Sequence, residues 1–162
     1  MRRFTPVELA MGAAILGSLL AVVVPAFSRE LHASRLVEPI DGLARIGASA
    51  VAYAEANERF PESAPLTPSA PPRGKKEADP PGTWDGPTWN ALSFRPSAEG
   101  VPHAYAFSFE SAAGGTAFVA QARGDVDGDG VLSTFEIRGR TGRTDGEKPA
   151  LAPGMYVEAE LE

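Results

Sequence analysis

The residues best suited to chemistry lie in one acidic run. Gly124-Asp125-Val126-Asp127-Gly128-Asp129-Gly130 is followed, after five further residues, by Glu136. Oxygen donors at alternate positions suit a hard cation such as Ca²⁺, and glycine at the sixth place from Asp125 permits a sharp turn. The candidate ligands are the carboxylates of Asp125, Asp127, Asp129 and Glu136, together with Val131 and Ser133 at the intervening positions. Other chemistry has little to work with. The chain has no cysteine and only His32 and His103, so thiol catalysis, disulfides, zinc ribbons and iron–sulfur clusters are excluded. It has no Walker loop, Gly-x-Ser-x-Gly elbow or dinucleotide fingerprint, and its serines lack an adjacent base. No enzymatic activity is expected.

The elements around the acidic run decide what it does. Spacing 125–136 fits the twelve-residue EF-hand loop, but an EF-hand needs a helix on either side. His103, Tyr105, Phe107 and Phe109 alternate with smaller or polar residues, Ala113-Gly114-Gly115 marks a turn, and Thr116 to Ala122 returns. Val131 to Arg138 alternates again, and Met155 to Leu161 suggests a short last strand. If residues 131–136 run extended at about 3.3 Å each, Glu136 ends roughly 15–20 Å from the aspartates. Three readings stay open: a three-aspartate Ca²⁺ site completed by carbonyls and water, an acidic turn between strands, and a true EF-hand. His103 heads an aromatic face and reads as a packing residue. The tract Arg138 to Arg143 reads as a solvated turn.

The chain is 162 residues long, with a net charge of −6 carried entirely by residues 61–162. An acidic domain repels phosphate backbones, so no nucleic-acid partner is expected. Leu9 to Ser28 is a charge-free apolar run of twenty residues, which as a helix spans about 30 Å, the hydrocarbon thickness of a bilayer. Arg2 and Arg3 precede it and favour a cytoplasmic N-terminus. A plain anchor, a cleaved secretory signal and an export-plus-assembly helix all fit the run. Glu8, a carboxylate at its mouth, favours the third, because an ionised group at membrane depth wants a partner.

Helical periodicity continues through Leu36, Ile40, Leu43, Gly47, Ala50 and Ala54, a stripe that should pack on a sheet. Pro25 and Pro39 should each kink or loosen a turn, and Asn57 to Pro61 should close the helix. Residues 61–87 hold eight prolines and read as an extended loop. At least one of Trp84 and Trp89 should pin that loop to the core; the alternative is an exposed pair touching a neighbour. The organisation expected is therefore a basic leader over 1–3, an apolar helix over 4–28, an amphipathic helix over 29–60, a Pro-rich region over 61–102 and a sheet domain over 103–162. The fold class is α+β, with an antiparallel sheet of three or four strands.

Phe4-Thr5-Pro6-Val7-Glu8-Leu9, followed by an apolar run ending Val22-Val23-Val24-Pro25-Ala26-Phe27, resembles the N-terminal segment of type IV pilins and type II secretion pseudopilins. The resemblance covers roughly residues 2–60 and rests on an aromatic residue, an acid and a proline in register. It implies leader cleavage between Arg3 and Phe4 by a prepilin peptidase, N-methylation of Phe4, and a register role for Glu8 against a neighbour's α-amine. Arg3 stands where the family has glycine, and Pro6 where it has an aliphatic residue. The implied protein is a structural subunit that sits in the inner membrane with a periplasmic domain. It would then join related subunits in an extracellular filament with the help of an assembly machinery. By the same resemblance a Ca²⁺ in the C-terminal loop is in keeping. The alternative is a membrane-anchored periplasmic calcium-binding module that never polymerises.

Overall fold

The computed structural model describes residues 5–142 and 147–159, with side chains for all of these but 27–34. Arg3, Phe4, Arg143 and the end of the strand expected over Met155 to Leu161 lie outside the described residues. The chain divides into two compact units, one running to Arg35 and the other from Leu36.

The first unit is the apolar part of helix α1 (Pro6–Asn57). Its start follows local rules. Thr5 precedes the helix, Pro6 takes the first helical position where its missing N–H is not needed, and Glu8 sits in the first turn. Segment Pro6–Ala26 is long and apolar enough to cross a membrane, and none of it is buried in the protein. The helix runs without interruption past Pro25 and Pro39 and ends at Asn57, followed by Glu58 in a left-handed conformation (φ 59°).

The second unit is an α+β body. Among the described residues its sheet has six strands: β1 (Ala64–Thr67), β2 (Tyr105–Ser111), β3 (Ala117–Gly124), β4 (Ser133–Arg140), β5 (Ala150–Leu151) and β6 (Tyr156–Glu158). β1, β2, β3 and β4 lie side by side, and β5 and β6 both pair with β4; all pairings are antiparallel. The expectation of three or four strands is corrected. β1 arises inside the Pro-rich stretch read as a loop, and β5 is too short to show a period. A helical turn, α2 (Pro87–Ala91), begins where that stretch ends. Arg138 and Arg140 belong to β4, not to a turn.

Period-two alternation places Tyr105, Phe107, Phe109, Phe118, Phe135 and Ile137 on the buried face. The register matches large to small across the strands: Phe107 and Phe135 flank Ala122, Phe109 and Ile137 flank Ala120, and Phe118 faces Gly139. The α1 residues buried against this face are Leu43, Ile46, Ala50 and Ala54, with Gly42 and Gly47 at the closest approaches. A Cβ on Gly42 would lie 2.5 Å from the Phe107 ring, and one on Gly47 would lie 2.9 Å from Ile137 Cδ1. Ile40, expected in the stripe, is 45% exposed. Leu43, Gly47, Ala50 and Ala54 of the expected stripe are buried, and Gly42 and Ile46 join them.

Both tryptophans are buried, so the exposed-pair reading is set aside. Their rings meet edge-on at 5.2 Å, and Phe94 and Phe107 complete the cluster. Trp89 donates to Thr67 Oγ1 at 3.0 Å and Trp84 to Asp79 Oδ2 at 2.5 Å, so each indole N–H is satisfied in the interior.

Candidate functional site

Two places carry the sequence-derived candidates, one in each unit. At the start of α1, Thr5 and Glu8 form a reciprocal cap. The Thr5 backbone N–H donates to Glu8 Oε2 at 2.8 Å, the Thr5 hydroxyl donates to the same oxygen at 2.9 Å, and the Glu8 N–H donates to Thr5 Oγ1 at 3.3 Å. This is the capping box, which satisfies amides that the first turn leaves without helical partners. Glu8 thus has a local partner within its own chain, which the emphasis on a neighbour's amine does not supply. The Thr-x-x-Glu spacing is the signal for it. The cleavage pair Arg3 and Phe4 lies outside the described residues.

The acidic run is the connection between β3 and β4. Asp125, Asp127 and Asp129 each bring a carboxylate oxygen within 4.8 Å of the others. Asp125 is buried and the other two are exposed. Each carboxylate also accepts from a backbone amide: Asp125 Oδ1 from Gly128 at 2.8 Å, Asp127 Oδ1 from Asp129 at 3.2 Å, and Asp129 Oδ1 from Val131 at 2.7 Å. The second Asp125 oxygen accepts from Arg73 Nε at 3.0 Å. Burial alone would push the Asp125 carboxyl up. The Arg73 guanidinium and the amides of Gly130 and Gly128 outweigh burial and hold it below the ordinary carboxylate value.

The side chains of Ser133 and Glu136 are engaged elsewhere. Ser133 is buried and its hydroxyl donates to the Gly124 carbonyl at 3.1 Å, closing the base of the loop. The Val131 side chain is exposed. Glu136 lies on β4 opposite Gln121 of β3, where it accepts from Gln121 Nε2 at 2.9 Å and Arg138 Nε at 2.6 Å. Burial pushes its carboxyl up, and those two side chains more than reverse the shift. With strands on both sides of the loop, no exiting helix folds Glu136 back, and the EF-hand reading fails for that reason. An ion seated here would have the three aspartates as its carboxylate ligands.

Sequence spacing does not reveal the partners that the Pro-rich region brings in. Segment 73–79 lies along the second unit and is fastened at every third residue. Arg73 pairs with Asp125, Lys76 with Glu38 of α1 at 3.2 Å, and Asp79 with His103 Nε2 at 2.6 Å. Backbone bonds reinforce it: Gly74 N–H to the Asp125 carbonyl, and a reciprocal pair between Glu77 and His103. Glu38 also accepts from the amides of Ala104 and Tyr105 at 2.7 and 3.0 Å, tying α1 to the start of β2. His103 is buried, and its Nδ1 lies 2.9 Å from the Tyr105 carbonyl. That oxygen can only accept, so Nδ1 carries a hydrogen. The packing role expected of His103 is joined by a hydrogen-bonding one.

Compared with protein-family models, curated proteins and solved structures, the chain matches none.

Proposed function

We propose that this chain is a pilin-like structural subunit that works by association and performs no catalysis. It would insert in the inner membrane through α1, carry the α+β body in the periplasm, and then assemble into a type IV pilus or secretion pseudopilus. The observation that carries the proposal is the unburied apolar segment Pro6–Ala26, headed by Glu8 and belonging to the same helix that seats on the sheet. A helix that is apolar on all sides needs lipid or apolar neighbours around it. Lipid serves the unassembled subunit, and the same segments of neighbouring subunits serve the filament.

Glu8 connects the two states. Before assembly the Thr5 cap offsets part of the cost of holding a carboxylate at the membrane edge. During assembly the neighbour's α-amine, freed by cleavage before Phe4, would provide the opposite charge, and an out-of-register subunit would leave it unpaired. Variants at Glu8 test this. Loss of filaments with normal membrane abundance supports the register role, and normal filaments from Glu8→Ala count against it.

A second reading, the membrane-anchored calcium-binding module, draws on the aspartate trio. Calcium takes six to eight oxygens, while the buried member of this trio already holds a guanidinium. The assembly reading is therefore preferred, and cleavage before Phe4 separates the two, since only polymerisation requires the freed amine.

A further inference from the structure

We propose that Arg73 is the resident cation of the acidic connection: its guanidinium occupies the charge-balancing position that a divalent ion would need, and in doing so it fastens segment 73–79 to the β3–β4 loop. Close carboxylates repel one another unless a positive charge stands among them. At Asp125 that charge comes from the chain itself. Arg73 Nε meets Asp125 at 3.0 Å, and Asp125 is the one member of the trio withdrawn from water, its side chain 1% exposed.

The glycines of the loop fit an arginine as closely as they fit a turn. A Cβ at Gly130 would lie 2.7 Å from Arg73 Nη2, so the guanidinium lies over the space that this glycine leaves open. Gly74 and Gly128 approach backbone to backbone, a Cβ on Gly128 falling 3.2 Å from the Gly74 Cα. The Gly74 N–H donates to the Asp125 carbonyl at 2.8 Å, which takes that oxygen as well. Asp125 therefore spends both carboxylate oxygens and its carbonyl within the chain. Glu136, the residue that would give a calcium loop its bidentate ligand, is held by Gln121 and Arg138. A divalent ion entering the trio would compete with Arg73 for Asp125 and cost the segment behind it one of its fastenings.

An ion pair between two exposed side chains contributes little. This pair differs because one partner is buried: removing the guanidinium strands a carboxylate away from water. The pair therefore contributes to the attachment of the segment and sets the loop's appetite for metal.

The test is thermal melting of the full chain in detergent, as wild type, Arg73→Gln and Arg73→Lys, each with chelator and with about 5 mM CaCl₂, above the dissociation constants of weak extracellular calcium sites. The wild-type midpoint should move by less than about 1 °C between the two conditions, because ligand linkage is negligible without a vacant site. Arg73→Gln should melt lower in chelator and regain several degrees with CaCl₂, the ion now filling the vacated position. Arg73→Lys should stay calcium-insensitive. A wild-type chain stabilised by CaCl₂ by several degrees overturns the proposal. So does Arg73→Gln that melts like wild type in chelator, or that ignores CaCl₂. If Arg73→Gln does not fold, the wild-type comparison decides.

Discussion

Replacing Gly42 with alanine places a methyl group 2.5 Å from two carbons of the Phe107 ring. Ordinary carbon–carbon contact is about 3.5–4.0 Å, so the ring or the helix must give by roughly 1 Å. Neither moves freely. Phe107 is fully buried, with Phe94 5.1 Å and Trp84 6.3 Å away, centroid to centroid. Overpacking of this kind costs about 1–3 kcal/mol. Alanine returns about 1 kcal/mol through its better helix propensity. The net is a destabilisation of about 0–2 kcal/mol, and at the centre of that range a fall of about 4 °C in Tm for a domain of this size. Phe107→Leu removes the opposing ring carbons. In that background Gly42→Ala should become neutral or stabilising, giving a coupling energy of about 1–3 kcal/mol, well above the ~0.5 kcal/mol scatter of independent sites. Thermal denaturation followed by tryptophan fluorescence suits the measurement, since both indoles sit in this cluster. Additive effects of the two substitutions, or a stabilising Gly42→Ala in the wild-type background, would refute the seating of α1 on β2.

Glu8→Gln separates the two roles of Glu8, because glutamine preserves the capping box and removes the charge. Filaments lost with Glu8→Gln point to register, whereas filaments lost only with Glu8→Ala or Thr5→Ala point to the cap; electron microscopy of sheared surface material distinguishes them. Asp79→Ala should expose segment 73–79 to trypsin at Arg73, Lys75 and Lys76 while the β2–β4 amides stay protected from hydrogen exchange, because it leaves His103 and the Trp84 N–H without their acceptor; resistance equal to wild type would contradict the fastening. Acid should destabilise the second unit. Asp125 and Glu136 titrate below their ordinary values in the folded chain, so their contribution is present above the unfolded pKa near 4 and is lost as pH falls through the folded values. Urea midpoints measured from pH 7 down to pH 2 should decline only in the acid range, and Glu136→Gln should flatten that decline.

Much of the body was legible where one residue pattern decides one element. The aromatic alternation of Tyr105, Phe107 and Phe109 marks β2, and the glycine turn after it locates β3. The end of α1 follows from Pro61 and a polar stretch. Elements held mainly by their partners left no such trace. β1 is four residues with a proline, β5 is two residues, and each exists through pairing with a longer strand. The α1 stripe was legible at Leu43, Gly47, Ala50 and Ala54, all buried, and departs at Ile40, which is exposed while Gly42 and Ile46 are buried. At the candidate sites the three aspartates were legible as a group. Their cation, Arg73, lies some fifty residues away in sequence, in a region whose composition promised only a loop, and nothing in the spacing connects Arg73 to Asp125 or Lys76 to Glu38. Thr5-Pro6-Val7-Glu8 suits a cap and an assembly register equally well, so that pattern alone does not divide the two roles.

The most direct test of assembly through α1 is mass spectrometry of the intact subunit recovered from purified surface filaments. A subunit of a type IV-like filament should appear there as a chain beginning at N-methylated Phe4, with Glu8 retained four residues on. Recovery of the chain only from membranes as a monomer still carrying Met1, or as a soluble product beginning at Phe27 or Ser28, would contradict it.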